Sequence, residues 1–319
     1  MCFPEFGCGE CDPTIGTVCL SSAVHQCLPD GTIGSRLRDC GESSCSQGSC
    51  NSDCSVVGVD LIYVVDDVGT LYSFDPSMIG GQPFKEIGTL DCPVADAWPE
   101  YPGGNPAIPF SMSVDRSGRA WVLYTSGEIF WVSTVDARCI GSLFVPGTEG
   151  FELFGMGFVA DAPGSDEETL YISGGSAGAI ELGDLGSIDP SSYDVHRLGP
   201  LSATTIPPVN NPELTGTGDG LLYGYYPGNQ SAVIGISKTT GAEAAGWPLN
   251  PSDGVPEAWA FAHWGGEFYI FLTTSLGIEE TSAVIKFNPV LDQETVVLPS
   301  TGIRVVGAGV STCAPTGVE

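Results

Sequence analysis

From Leu61 onward the chain repeats itself with a period of roughly fifty residues, and a repeat of that length restricts the fold to stacked or radial arrays of one small unit. Each unit contains four short β-type runs separated by turn residues. The second runs are the clearest: LIYVVD from Leu61, RAWVLYT from Arg119, TLYISGG from Thr169, LLYGYY from Leu221 and EFYIFLTT from Glu267. Third runs follow, several ending in Asp-Pro, Asn-Pro or Thr-Gly turns: LYSFDP from Leu71, FWVSTVDA from Phe130, LGSIDP from Leu185, VIGISKTTG from Val233 and VIKFNP from Val284. First runs are rich in small residues: SMSVD from Ser111, GMGFVAD from Gly155, TGTGDG from Thr215, AFAHWGG from Ala260 and GAGVSTC from Gly307. Small side chains suit strands that crowd around an axis.

The last of these small-residue runs has no second, third and fourth run after it. The first unit, built on Leu61, Leu71 and KEIGTLDC from Lys85, has no first run before it. Pairing the C-terminal strand with the three N-terminal ones closes a ring and removes the exposed sheet edges. The repeat grammar, with its Y-x-h-D-P turns after the third strand, resembles that of the β-propellers over about 260 residues. The resemblance implies an all-β fold: a single five-bladed β-propeller over residues 55–319. It implies no activity, because propellers host binding, scaffolding and catalysis alike.

Residues 1–54 are different. Of the twelve cysteines in the chain, nine lie here: Cys2, Cys8, Cys11, Cys19, Cys27, Cys40, Cys45, Cys50 and Cys54. The segment has almost no long apolar stretch, so covalent staples must replace a core. Cys8-Gly-Glu-Cys11 also suits zinc, but the remaining cysteines are spaced too loosely for a second knuckle. We expect a disulfide-rich module made in an oxidising compartment. Its Cys27-Leu-Pro-Asp-Gly-Thr-Ile-Gly centre and closing Cys45-Ser-Gln-Gly-Ser-Cys50 resemble short cysteine-rich repeats of secreted bacterial surface proteins. That resemblance implies an extracellular or cell-surface setting. Nine cysteines cannot all pair among themselves, and Cys92, Cys139 and Cys313 complete the set. Full oxidation therefore needs at least one bridge from module to propeller, and Cys54 with Cys313 is the expected pair, near the ring closure. The chain opens on Met1-Cys2 without a signal peptide, which reads as a mature or recombinant form. No run of eighteen apolar residues suggests a membrane span.

Charge narrows the partners. Acidic residues number 39 against 10 basic ones, a formal net charge of −29. Such a surface repels nucleic acid and anionic membranes and attracts cations or basic partners. Aligning the first runs on their small-x-small cores places Glu152, Glu213 and Glu257 in one column, with Ile108 and Arg304 in the same column of the other two blades. Three glutamates and an arginine are then expected around one mouth of the central channel, suited to a hard cation such as Ca²⁺ or to a basic ligand. Long loops with Trp98, Glu100 and Tyr101, and with Asp253 and Trp259, approach the same face. Aromatics among carboxylates suit stacking on sugars, and paired carboxylates suit glycoside hydrolysis.

Other features read as structure. Asp115-Arg-Ser-Gly118 and Asp67-Val-Gly69 are expected hairpin turns. DAPGSDEE from Asp161 lacks the spacing of a calcium loop and reads as a solvated loop. His25, His196 and His263 are scattered, and His263 reads as a packed residue of a first strand. Asn229-Gln-Ser231 is a glycosylation sequon. No HExxH, G-x-S-x-G or phosphate-loop motif occurs, so no catalytic residue and no cofactor other than Ca²⁺ is expected. The resulting expectation is an extracellular, non-enzymatic binding or assembly protein, working with a protein partner or with itself. A carbohydrate-active enzyme using carboxylates at the channel mouth, with a glycan as partner, and a Ca²⁺-stabilised adhesive module are the alternatives.

Overall fold

The computed structural model describes residues 58–99, 106–175, 182–207, 210–276 and 280–317 together with 54 and 56. Within the N-terminal segment it describes 2–3, 7–8, 17–20, 23–28, 30–39, 45–46 and 49–50. Five four-stranded antiparallel sheets form the propeller. Blade 1 runs from the axis outward as Val305–Val310, Ile62–Asp66, Thr70–Phe74 and Phe84–Thr89. Its innermost strand is the C-terminal one, as the repeat pattern requires. Blade 2 is Pro109–Val114, Arg119–Tyr124, Ile129–Ser133 and Cys139–Gly141. Blade 3 is Leu153–Ala160, Glu168–Gly175, Asp184–Ile188 and Val195–Pro200. Blade 4 is Glu213–Gly216, Leu222–Tyr226, Ala232–Ile236 and Glu243–Pro248. Blade 5 is Pro256–Trp264, Glu267–Thr274, Ala283–Asn288 and Gln293–Leu298.

The turn residues act locally and explain why the strands stop where they do. Asp75 accepts the Ser77 N–H at 2.9 Å, Asp189 that of Ser191 at 2.8 Å and Asn288 that of Val290 at 3.0 Å. The Asp-Pro and Asn-Pro signals are thus turns stabilised by their own side chains. Gly118 and Gly69 close the two expected hairpins on carbonyls of Asp115 and Asp66, both with positive φ.

Burial is arranged by blade interface. Separate apolar clusters fill the gaps between blades 1 and 2 around Val65, Met112 and Tyr124, and between 2 and 3 around Trp121, Phe154 and Phe158. Others lie between 3 and 4 around Val159, Leu214 and Tyr226, between 4 and 5 around Tyr225, Phe261 and Phe268, and between 5 and 1 around Phe74, Phe271 and Val305. Near the axis the contacts are backbone to backbone. A Cβ on Gly155 would lie 2.3 Å from Pro212 O, and one on Gly309 would lie 2.8 Å from Ser113 Cα. The small residues of the first runs are there because any side chain would push neighbouring blades apart.

Two disulfides staple this ring. Cys54–Cys313 joins the end of the module to the segment after the closing strand, with Cα atoms 5.4 Å apart, as the cysteine count led us to expect. Cys92–Cys139 ties the exit of blade 1 to the outer strand of blade 2. Cys27 is also disulfide-bonded, and no described cysteine is free. The remaining module cysteines have side chains outside the described residues. Within the module, Thr17–Leu20, Ala23–Cys27 and Ile33–Asp39 form a three-stranded antiparallel sheet. The Asp-Gly-Thr centre is its hairpin turn: Gly31 N–H donates to Leu28 O at 2.9 Å and Asp30 accepts the Thr32 N–H at 3.1 Å. Cys45 is paired in register with Cys50 between two short antiparallel strands. No described helix is long and apolar enough to cross a membrane.

Candidate functional site

The innermost strands define two mouths: an upper one where they begin and a lower one where they end. Glu213 is the first residue of its strand, paired in register with Tyr225, and is buried. Ser111 Oγ of blade 2 donates to its Oε2 at 2.9 Å, and the Met156 amide of blade 3 also bonds its carboxyl. Burial holds the carboxyl well above the usual carboxylate range, and these two hydrogen bonds offset that only in part. The hydrogen bonds of Glu213 link blades 2, 3 and 4.

The other members of the column differ. Glu152 is half-buried and precedes its strand, its backbone N–H donating to Gly175 O at 3.1 Å. Glu257 is exposed and sits in the register shift between Pro256 and Ala258. Arg304 reaches toward it, but to the backbone: Nη2 donates to Glu257 O at 3.3 Å, while Nη1 pairs with Glu280 Oε2 at 3.1 Å. The arginine beside the glutamates is thus engaged with Glu280, which the column did not include.

Neither tryptophan is a free platform. The Trp98 indole N–H donates to Ser126 O, and its ring covers Gly127, where an added Cβ would lie 2.8 Å from Cζ2. Trp259 packs, half-buried, against the apolar cluster between blades 4 and 5. Glu100 and Tyr101 lie outside the described residues. Asp253 is exposed in the loop before blade 5. His263 is packed as expected, stacked 6.1 Å from Tyr223 and edge-on to Phe268 at 5.2 Å, and burial lowers it to about 4. Among the described residues, no group of three or more His, Cys, Asp or Glu is placed to hold a metal ion.

The lower mouth holds a polar cluster that the sequence reading missed. Glu168 accepts the Arg116 N–H on Oε1 and the Thr312 hydroxyl on Oε2, both at 2.7 Å. Arg116 donates through Nη1 to Thr312 Oγ1 and through Nη2 to Cys54 Sγ, each at 3.1 Å, and lies 3.6 Å from Asp166. Burial, with Asp115 adding to it, raises Glu168 to about 8, against the opposing bonds from Arg116 and Thr312. Glu168 is the last acid of the DAPGSDEE run. A solvated loop describes Asp161 to Glu167, but the chain turns inward at Glu168 because it opens a strand. The segment after the closing strand crosses this mouth. Thr312 O comes close to Gly218, and Gly265 N–H donates to Pro315 O at 2.7 Å. Residues 312–315 therefore touch blades 2 to 5.

No known family model matches the chain, and no curated protein matches it. Among solved structures it is similar to an exo-β-1,3-galactanase from Phanerochaete chrysosporium bound to β-1,3-galactotriose, at 9% identity over 59% of this chain and 52% of that one, with a TM-score of 0.42. The same galactanase with galactose gives 10% identity over 73% and 48%, with a TM-score of 0.40. A GH43 β-1,3-galactosidase gives 11% identity over 60% and 49%, also at 0.40. The chain spans about half the length of these structures.

Proposed function

We propose that this chain is an extracellular binding or assembly protein that works through the outer faces of a rigid, disulfide-stapled disc. One observation supports the reading above the others: the chain's own hydrogen bonds link non-neighbouring blades near both mouths. Ser111–Glu213 links blades 2 and 4 near one mouth, and Thr312–Glu168 links the end of blade 1 to blade 3 at the other. Propeller carboxylates that serve a ligand in the channel must be open to it; these two are engaged in holding the ring. A rigid frame lowers the entropy lost when its surface loops meet a partner.

A carbohydrate-active reading rests on a different observation. Burial raises the Glu213 carboxyl above the usual carboxylate range, the direction in which a general acid is tuned. Glycoside hydrolysis then needs a second carboxylate across the scissile bond, and Glu152 and Glu257 are the candidates in the same column.

One experiment separates the two. The oxidised protein is incubated with a panel of oligosaccharides that includes β-1,3-galactotriose, and its mass is followed by light scattering across concentration. Absence of turnover with concentration-dependent or partner-dependent association supports the binding protein. Turnover lost in Glu213→Gln would overturn that reading in favour of the enzyme.

A further inference from the structure

The two described disulfides sit in opposite electrostatic settings. At Cys54–Cys313 the charged neighbour is a cation: Arg116 Nη2 donates to Cys54 Sγ at 3.1 Å. At Cys92–Cys139 it is an anion: Asp91 Oδ1 accepts the Cys139 N–H at 2.8 Å. A guanidinium beside a sulfur lowers its thiol pKa and stabilises it as a departing thiolate, whereas a carboxylate opposes both. All four cysteines are half-buried, so access does not separate the two bonds.

The Arg116 charge is buried and held in place. Its backbone N–H donates to Glu168 Oε1 at 2.7 Å, and its Nη1 donates to Thr312 Oγ1 at 3.1 Å. Burial raises Glu168 to about 8, so it does little to neutralise the guanidinium near pH 7. Asp166, 3.6 Å from Nη2, is exposed and screened by water. Cys54 adds backbone strain. Its φ of 56° is left-handed, which is unfavourable for a residue with a Cβ, and cleavage of the bond lets it relax.

Cleavage has a local consequence. Cys313 lies in the segment that crosses the lower mouth. Past it, the tail is tied by Gly265 N–H to Pro315 O at 2.7 Å and by Ala314 in the apolar cluster between blades 5 and 1. The closing strand Val305–Val310 pairs with Ile62–Asp66 through its own ladder, which does not involve the disulfide.

We propose that Cys54–Cys313 is a redox latch, opened by a dithiol, which releases the tail from the lower mouth and unties the cysteine-rich module from the ring while the propeller stays closed. A thiolate of the dithiol attacks Cys313 Sγ and forms a mixed disulfide. The electron pair of the broken S–S bond leaves on Cys54 Sγ as a thiolate against Arg116. The second thiol of the reductant then attacks its own partner sulfur in the mixed disulfide, and its proton passes to the departing Cys313 sulfur. The dithiol loses two electrons in becoming a disulfide, and the protein gains two.

The test equilibrates the intact oxidised protein at pH 7 with graded ratios of reduced to oxidised dithiothreitol. Free thiols are trapped with N-ethylmaleimide and located by peptide mass spectrometry. Cys54 and Cys313 should be half-reduced at a ratio at least about tenfold lower than Cys92 and Cys139. Hydrogen exchange at that ratio should show lost protection in residues 311–316 and retained protection in the blade strands. With a monothiol, the mixed disulfide should form on Cys313 and leave Cys54 free. Arg116→Gln should require about tenfold more reductant at Cys54–Cys313, and Arg116→Lys, which keeps the charge, should stay close to the parent. A variant that merely loosened the lower mouth would be reduced more readily, so the direction of the change separates charge from packing. Reduction of Cys54–Cys313 together with or after Cys92–Cys139 would overturn the latch. So would an Arg116→Gln bond reduced as readily as the parent's or more so, a mixed disulfide on Cys54, or loss of protection throughout the blades.

Discussion

Ser111 Oγ lies 2.9 Å from Glu213 Oε2, although the two residues are 102 positions apart and belong to blades 2 and 4. The whole of blade 3 separates them in sequence and around the ring. A hydrogen bond between blades that are not neighbours has to pass the inner edge of the blade between them, so this pair reports how tightly the innermost strands converge.

Burial of Glu213, which disfavours its charged form, sets the first prediction. Glu213→Gln fills the same space without a charge and should stay within about 1 kcal/mol of the parent. Glu213→Ala leaves a small cavity and removes the Ser111 partner, and should lose about 2–4 kcal/mol. Urea unfolding of both variants checks the order; an equal loss in the two would show that Glu213 is held as a carboxylate.

Glu168 makes stability depend on pH in a stated direction. Its folded value, about 8, lies above that of an unfolded glutamate, about 4.3. The folded state therefore keeps a proton that the unfolded state releases, and the stability due to this group falls as pH rises from about 4.3 through about 8. Glu168→Gln cannot lose that proton. Its melting temperature should gain steadily on the parent between pH 5 and 8 and stop gaining above that.

His263 acts in the opposite sense. Burial between Tyr223 and Phe268 lowers it to about 4, against about 6.5 for a free imidazole. The unfolded chain binds a proton that the folded chain refuses, so the stability from this group is lost as pH falls from about 6.5 through about 4. The imidazole signals of His263 should stay nearly fixed between pH 8 and 5 and move only below that, which NMR titration checks.

The two described staples should differ in weight. Cys54–Cys313 closes a sequence separation of 259 residues and Cys92–Cys139 one of 47. On loop entropy alone these correspond to about 5.5 and about 4 kcal/mol. The first also positions Arg116 beside Thr312. Cys54→Ser with Cys313→Ser should thus lower the melting temperature more than Cys92→Ser with Cys139→Ser.

The inner ring predicts a steric contrast. Gly155→Ala drives a methyl to 2.3 Å from Pro212 O and should prevent normal folding, while Gly141→Ala meets nothing within 4 Å and should be neutral. Circular dichroism melts of the two variants test this.

Much of the fold was legible because its causes are local. Alternating β-branched and aromatic runs, Asp-Pro turns and glycine hairpins each depend on a few adjacent residues, and their repetition gave the number of blades. The unmatched first run at the C-terminus implied the closing strand, cysteine parity required one bridge from module to propeller, and nearness to the ring closure pointed to Cys54–Cys313. The glutamate column shows the limit. Alignment treats Glu152, Glu213 and Glu257 as equivalent, yet one precedes its strand, one pairs within it and one lies in a bulge. A shift of one position in register decides whether a carboxyl faces packed chain or water. The periodicity, the turns and the cysteine count are properties of the sequence itself. The burial of Glu213, the raised pKa of Glu168, the placement of Arg304 on Glu280 and the crossing of the lower mouth by the C-terminal segment were decided by tertiary structure. Each depends on burial and on partners more than twenty residues away, which only the closed ring brings together.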